Sequence, residues 1–185
     1  MRWAVCAALV STACGRLAFD DLSGTRDATD GVASDAVQGD ASGDAVLAAC
    51  AGIQCTGAPK QMMCDGRCIT LCPDSVSQDT ADTRCIAWGG QLATVHDATD
   101  DACVSQLTNP PAWIGYMQQA GATTVAGNWS WLDGVASPYV NWGTGEPQDG
   151  QGTEDGEEQC AVMFADGLWY DTSCSAATFP FVCTR

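Results

Sequence analysis

Cys85-Ile86-Ala87-Trp88-Gly89-Gly90-Gln91-Leu92-Ala93-Thr94-Val95 is the stretch on which the reading of this chain turns. Upstream, Gln78 to Trp88 carries Ala81, Cys85 and Trp88 at helical spacing, with Ser77 placed as N-cap. Gly89-Gly90 stops that helix, and Gln91 to Val95 reads as a short strand. Downstream, Asp97 is placed to cap a second helix bearing Ala98, Ala102, Cys103 and Leu107, which Pro110-Pro111 ends. Arg67 to Leu71 can form an earlier strand. Past Pro111 the chain is strands and long loops dense in Gly and Trp. Two helices followed by a β-rich remainder predict an α+β fold.

The chain has 185 residues, 12 cysteines, and 23 acidic side chains against 7 Lys and Arg, for a formal net charge of −16. That length suits one domain plus extensions and can bury a core. No basic residue lies between Arg84 and Arg185. Neutralising phosphates needs clustered Lys and Arg, so a nucleic-acid partner is excluded. The cysteine content points to an oxidising compartment, where thiols pair as disulfides. No apolar run reaches the roughly 18 to 20 residues of a membrane-spanning helix.

Residues 1–14 read as an export signal. Met1-Arg2 is a minimal charged start, Trp3 to Val10 is apolar, and Ser11-Thr12-Ala13-Cys14-Gly15 offers small residues at a cleavage point. The segment resembles a bacterial lipoprotein signal with Cys14 as the lipidated residue, although Ser11 stands where that pattern prefers Leu. The alternative is an ordinary secretory signal cut nearby. Either way the chain is expected to be exported, anchored to the cell envelope by lipid or secreted. Residues 15–49 are rich in Ala, Asp, Gly, Ser and Thr, carry seven aspartates and lack aromatics after Phe19. Such a segment cannot bury enough apolar surface to offset its chain entropy, so a disordered acidic tether is expected. Residues 50–68 then bring Cys50, Cys55, Cys64 and Cys68 together with Gly52, Gly57, Pro59 and Gly66, the composition of a small disulfide knot. The alternative is zinc, since Cys64, Cys68 and Cys72 recur every four residues, but zinc thiols usually come as closer pairs in reducing compartments.

From Cys68 to Arg185 a set of motifs follows in order. After Cys85 and Trp88-Gly89-Gly90-Gln91-Leu92-Ala93 come Trp113-Ile114-Gly115-Tyr116 and Trp129-Ser130-Trp131-Leu132-Asp133-Gly134. Asn141-Trp142, Glu146-Pro147-Gln148 and Glu158-Gln159-Cys160 follow, then Gly167-Leu168-Trp169-Tyr170-Asp171, Cys174 and Phe181-Val182-Cys183. Together they resemble the C-type lectin-like domain over the whole of 68–185. The resemblance implies two helices, antiparallel sheets, a long-loop region, and disulfides Cys85–Cys183 and Cys160–Cys174. Chain-entropy arguments give such bonds about 4.7 and about 3 kcal/mol. Cys72 and Cys103 are left over and are expected to join the first strand to the second helix. Two more bonds would close the knot, so ten cysteines make five pairs once Cys6 and Cys14 are set aside.

In sugar-binding members of that family one calcium ion in the long loop coordinates two adjacent sugar hydroxyls. The chemistry suits a hard cation with six to eight oxygen ligands. Carried over position by position, the ligand set becomes Glu146, Gln148, Glu158, Tyr170 and Asp171, with Pro147 as the cis proline that aims its neighbours. Two positions depart. Gln148 keeps an amide oxygen but is longer by about 1.5 Å, and the phenol of Tyr170 is a poor calcium ligand. Metal ligation thus falls to Glu146, Gln148, Glu158 and Asp171. All four glutamates of the chain, Glu146, Glu154, Glu157 and Glu158, lie within 13 residues, with Asp149 and Asp155 among them. The cluster would repel itself unless it held a cation, and the alternative is a solvated acidic loop. The family's auxiliary calcium positions fall on neutral Gln118 and Gln159, so no second ion is expected.

Trp113, Trp131, Trp142 and Trp169 are expected in the core, and Trp129 and Tyr170 at the surface, where Tyr170 could stack on a sugar face. His96 has no Ser, Cys or basic partner in a recognisable arrangement and reads as a surface residue. A carboxylate-pair glycosidase built on Glu146 and Glu158 lacks any further support, so no enzyme is expected. The expected function is a surface-anchored binding module, with calcium-assisted glycan recognition as its sharpest form. The alternative is a calcium-independent protein-interaction domain on the same fold.

Overall fold

The computed structural model describes residue 43 and residues 48–150 and 152–185. The expected signal with Cys14, and nearly all of the 15–49 tether, lie outside the described residues. In chain order the elements are β1 (Lys60–Cys64), β2 (Arg67–Val76), α1 (Gln78–Ala87), β3 (Gln91–Leu92), α2 (Ala98–Ser105), β4 (Ala112–Gln118), β5 (Trp129–Trp131), β6 (Cys160–Met163), β7 (Trp169–Thr172) and β8 (Phe179–Thr184). The fold is α+β, as expected. The first strand expected at Arg67 to Leu71 is β2, which runs on to Val76.

The sheet order is β1-β2-β8-β4-β6-β7, with β3 paired to β8 and β5 to β4. The last strand therefore lies inside the sheet, antiparallel to β2 and touching β4 in parallel at Trp113 and Phe181. Cys68 and Arg185 exchange both backbone hydrogen bonds, at 2.8 and 3.0 Å, which closes the two ends of the domain on one another.

Alternation along the strands divides the buried side chains between two faces. Ile114, Tyr116, Ala161, Met163 and Val182 join Cys103, Val104 and Leu107 from the α2 side. Trp113, Cys160, Val162, Phe181 and Cys183 join Ala81, Cys85 and Trp88 from the α1 side. The apolar face expected for α1 is thus the buried one. On α2 the expectation fails in part: Cys103 is buried, but Ala98 and Ala102 are exposed, and Asp100 and Asp101 face inward in their place.

The helix ends follow local chemistry. Asp97 accepts from the N–H groups of Thr99 and Asp100 at 2.8 and 2.9 Å, capping α2 as expected. Ser77 has cap backbone geometry, but its hydroxyl pairs with that of Thr80 at 3.0 Å and caps no backbone N–H. At the other end of α1, Gly89 donates to Ile86 and Gly90 to Cys85, at 2.9 and 3.0 Å, with Gly89 at φ 85°. That pattern ends a helix on a left-handed residue, where glycine carries no Cβ strain. Gly90 is required for a second reason: a Cβ there would collide with the carbonyl of Thr184.

Among the described residues five disulfides stand: Cys50–Cys68, Cys55–Cys72, Cys64–Cys103, Cys85–Cys183 and Cys160–Cys174. The two implied by the resemblance are both present. The other pairings are corrected in part: Cys72 does not bond Cys103, and of the four cysteines of 50–68 only Cys50 and Cys68 bond one another. The reason lies in the β1–β2 hairpin, which pairs Cys64 with Arg67 and lays β1 into the sheet. Cys64 thereby joins the cluster that holds Cys103, while Cys72 remains free to take Cys55.

Candidate functional site in the long loop

Between β5 and β6 the described residues of 132–159 form no regular strand, and hydrogen bonds to α2, to β7 and to the turn at Gly167 help to hold them. Gly143 donates to the carbonyl of Trp169 at 2.8 Å, and Trp169 donates to that of Asn141 at 2.9 Å. The amide of Asn141 donates to Asp101 of α2 and to the carbonyl of Gly167, at 3.2 and 3.0 Å. The Glu146–Pro147 peptide is cis, as the resemblance implies.

Asp171, on β7, sits beneath this turn. Its Oδ2 accepts the N–H groups of Gln148 and Asp149 at 2.9 and 2.7 Å. Its Oδ1 and the Oε2 of Glu146 are buried with no hydrogen-bond partner. Burial, the neighbouring carboxyl of Asp171 and the charge of Glu158 push the Glu146 pKa up to about 7. Burial and then the charge of Asp171 push Glu158 upward as well. The charge of Asp171 is therefore close enough to Glu146 and Glu158 to oppose the ionisation of both. Among the described residues, however, no three His, Cys, Asp or Glu side chains are drawn around a single point. Gln148 is exposed, and its amide nitrogen lies 3.3 Å from Glu146 Oε1.

Tyr170 goes elsewhere. Successive residues of β7 alternate between faces, so Tyr170 points away from the side that carries Asp171. Its ring lies 4.7 Å from that of Phe164 and packs over Gly143, where a Cβ would stand 2.7 Å from Cζ. Gln148 thus touches Asp171 and Glu146, Glu158 is near enough for its charge to act on Glu146, and Tyr170 lies outside. Tyr170 and Trp129, both expected at the surface, are half-buried. Trp129 packs 4.7 Å from Trp142 and donates its indole N–H to the carbonyl of Val125 at 2.8 Å. Trp113, Trp131 and Trp169 are buried as expected, and Trp142 is half-buried against them.

Sequence reasoning counted Asp149 as one acid among several, but it organises the loop. It is buried at φ 50° and accepts backbone N–H groups from Asp155, Gly156, Glu157 and Glu158 at 2.5 to 3.2 Å. Burial opposes its ionisation, but those hydrogen bonds prevail and hold its carboxyl below the ordinary range. Its place ahead of Gly150, in a run of small and acidic residues, is the only signal the sequence offers. A cleft of about 480 Å³ opens beside it, lined by Asp149, Asp155, Glu157, Glu158 and Ser173 but not by Glu146 or Asp171. His96 is also corrected: it is half-buried, with Nε2 2.7 Å from Asp133 Oδ2 and its ring edge-on to Trp131. Its partner stands 37 residues away, so no local motif announces it.

A family model, the Lectin C-type domain, matches residues 74–185. The chain belongs to the C-type lectin domain family. Among curated proteins this C-type lectin domain is 27% identical over 128 residues to mouse C-type lectin domain family 4 member G, covering 69% of this chain and 42% of that protein. It is 29% identical over 147 residues to the type-2 ice-structuring protein of Osmerus mordax, covering 76% and 78% of the two. The chain thus spans less than half of the mouse protein's length. Among solved structures, a calcium-independent type II antifreeze protein shares 26% identity at a TM-score of 0.57, over 70% of this chain and 97% of that one. The family consists of binding modules rather than enzymes, and it includes both lectins and calcium-independent members.

Proposed function

We propose that this C-type lectin domain is an exported recognition module that binds glycan through a calcium ion at the long loop. The observation that carries the reading is the pair of buried, donorless carboxylate oxygens, Glu146 Oε2 and Asp171 Oδ1. Carboxylates packed together without a cationic side chain favour whatever neutralises them, a proton or a metal ion. The donor set is all oxygen, which fits calcium. Glu146, Glu158 and Asp171 would hold the ion, with the amide oxygen of Gln148 beside them. The ion would supply open coordination positions for adjacent sugar hydroxyls. A single such site binds at about millimolar affinity, or −4.1 kcal/mol, so avidity would come from display on a crowded surface. A lipid at Cys14 and the 15–49 tether would provide that display.

Calorimetry of the full chain with calcium, followed by EGTA, tests the reading, and a glycan array in calcium identifies the sugar. Calcium heat and thermal stabilisation that vanish in Glu146→Ala and Asp171→Ala support it. Absence of both in the unaltered chain at millimolar calcium overturns it. The second reading is a calcium-independent protein partner. It is supported by the packing of Tyr170 against Phe164 and Gly143, away from the carboxylates, and by the likeness to a calcium-independent antifreeze protein. Binding that persists in EGTA and in Glu146→Ala would establish it.

A further inference from the structure

Gln118 ends β4 with a side chain that is buried, at 5% exposure. Its amide nitrogen lies 3.2 Å from the carbonyl oxygens of Thr124 and Val125, 3.1 Å from that of Gly127 and 2.6 Å from Glu154 Oε2. Four acceptors therefore surround one nitrogen that carries two hydrogens. The amide can face only one way, because its oxygen in that place would meet four other oxygens. The backbone N–H of Gln118 donates to the carbonyl of Gln159 at 3.0 Å, fixing the side chain's root beside the start of β6. Three carbonyl dipoles and a carboxylate converging on one buried point make an environment that stabilises positive charge. The group that stands there is a neutral donor tied to the sheet.

We infer that the Gln118 amide is an internal substitute for a bound cation: it ties the 124–127 turn to Glu154 of the long loop and makes the order of this flank independent of metal. The inference concerns the flank alone and holds whichever partner the Glu146–Asp171 side takes. It assigns Gln118 a positioning role where the sequence showed only a neutral residue. It also separates the long loop into one part that a cation would order and one part already ordered by the chain itself. Without the amide, the carbonyls of Thr124, Val125 and Gly127 and the Glu154 carboxylate would face one another with no donor among them. A free cation could then take its place.

Hydrogen exchange read by mass spectrometry on the full chain, in millimolar calcium and in EGTA, tests this. The amides to follow are Gln119 and Gly127, which donate to the carbonyls of Asn128 and Thr124. In the unaltered chain their exchange should be the same in both conditions. In Gln118→Ala it should rise by about tenfold or more, the effect of one lost buried hydrogen bond. In Gln118→Glu it should be fast in EGTA and slow again in calcium, because a carboxylate there completes an oxygen cage that needs an ion. Should both variants fail to fold, Glu154→Ala removes one acceptor from a half-exposed residue, and faster exchange across 152–158 then supports the tie. Calcium-dependent exchange of Gln119 and Gly127 in the unaltered chain overturns the inference. So does a Gln118→Ala chain, or failing that a Glu154→Ala chain, that exchanges like the parent. A calcium response confined to 143–149 supports it, and absence of any response there would overturn only the calcium reading of the ligand site.

Discussion

Asp149 accepts the backbone N–H of Glu158 at 2.8 Å and donates its own N–H to Asp171 at 2.7 Å. One buried residue thereby joins the loop that carries one expected ligand to the strand that carries another. Substituting it leaves four loop N–H groups without their acceptor. Asp149→Ala should cost about 2 to 3 kcal/mol in urea unfolding at pH 7, the range for hydrogen bonds to a charged acceptor. Its folded pKa is depressed, so the stabilisation is present above the unfolded carboxylate value and is lost as pH falls through the folded one. The gap between parent and variant should therefore close in acid. A gap that persists below both values would show that the carboxylate's charge is not what orders the loop.

Glu146 has the opposite sign. Its folded pKa is raised from 4.5 to about 7, so the folded chain holds a proton that the unfolded chain releases. Stability should fall as pH rises between about 4.5 and about 7, and Glu146→Gln should flatten that slope. A calcium ion bound as proposed would compete with the same proton, so the rise in melting temperature on adding calcium should be larger at pH 8 than at pH 5.5. Melting curves at the two pH values, with calcium and with EGTA, check both statements. An equal calcium shift at both would place the ion away from Glu146.

What the sequence revealed and what it hid divide along physical lines. Residues whose roles are set by near neighbours were legible: Asp97 as a cap, Gly89-Gly90 as a stop, and Ala81, Cys85 and Trp88 as one buried face. The site carboxylates Glu146, Glu158 and Asp171 entered only through the family resemblance, carried over position by position. Pairings that depend on which strand lies beside which were not legible. Cys64 meets Cys103 only because β1 folds back on β2, and His96 meets Asp133 only once α2, β4 and β5 are in place. The roles of Asp149 and Gln118 rest on backbone groups, whose positions no side-chain pattern reports.

The corrected disulfides predict a peptide map. Digestion without reduction should give Cys64 linked to Cys103 and Cys55 linked to Cys72, with no Cys72–Cys103 peptide. The Cys64–Cys103 bond closes a sequence separation of 39 residues. On chain entropy alone its removal in a double Cys→Ala variant should cost up to about 4 kcal/mol, less where Cys50–Cys68 already restrains the unfolded chain. Unfolding of that variant with the other four bonds intact measures the cost. A Cys72–Cys103 peptide in the parent would return β1 to a separate knot.

His96 and Asp133 give the last test. Asp133 Oδ1 accepts the N–H of Val135 at 2.9 Å, and Oδ2 lies 2.7 Å from His96 Nε2. The Ser137 hydroxyl donates to the carbonyl of His96 at 2.7 Å, so the residue before α2 and the first turn of the long loop hold each other. Burial alone would raise the Asp133 pKa, but hydrogen bonds from Val135, His96 and Thr94 outweigh it and leave the carboxyl below its ordinary value. Asp133→Ala should therefore destabilise the domain by about 1 to 3 kcal/mol at neutral pH, and the loss should shrink as acid protonates the parent. Because this contact lies apart from Glu146 and Asp171, the calcium response at pH 8 should survive the substitution. A variant that keeps full stability would show that the His96–Asp133 contact forms without anchoring the loop.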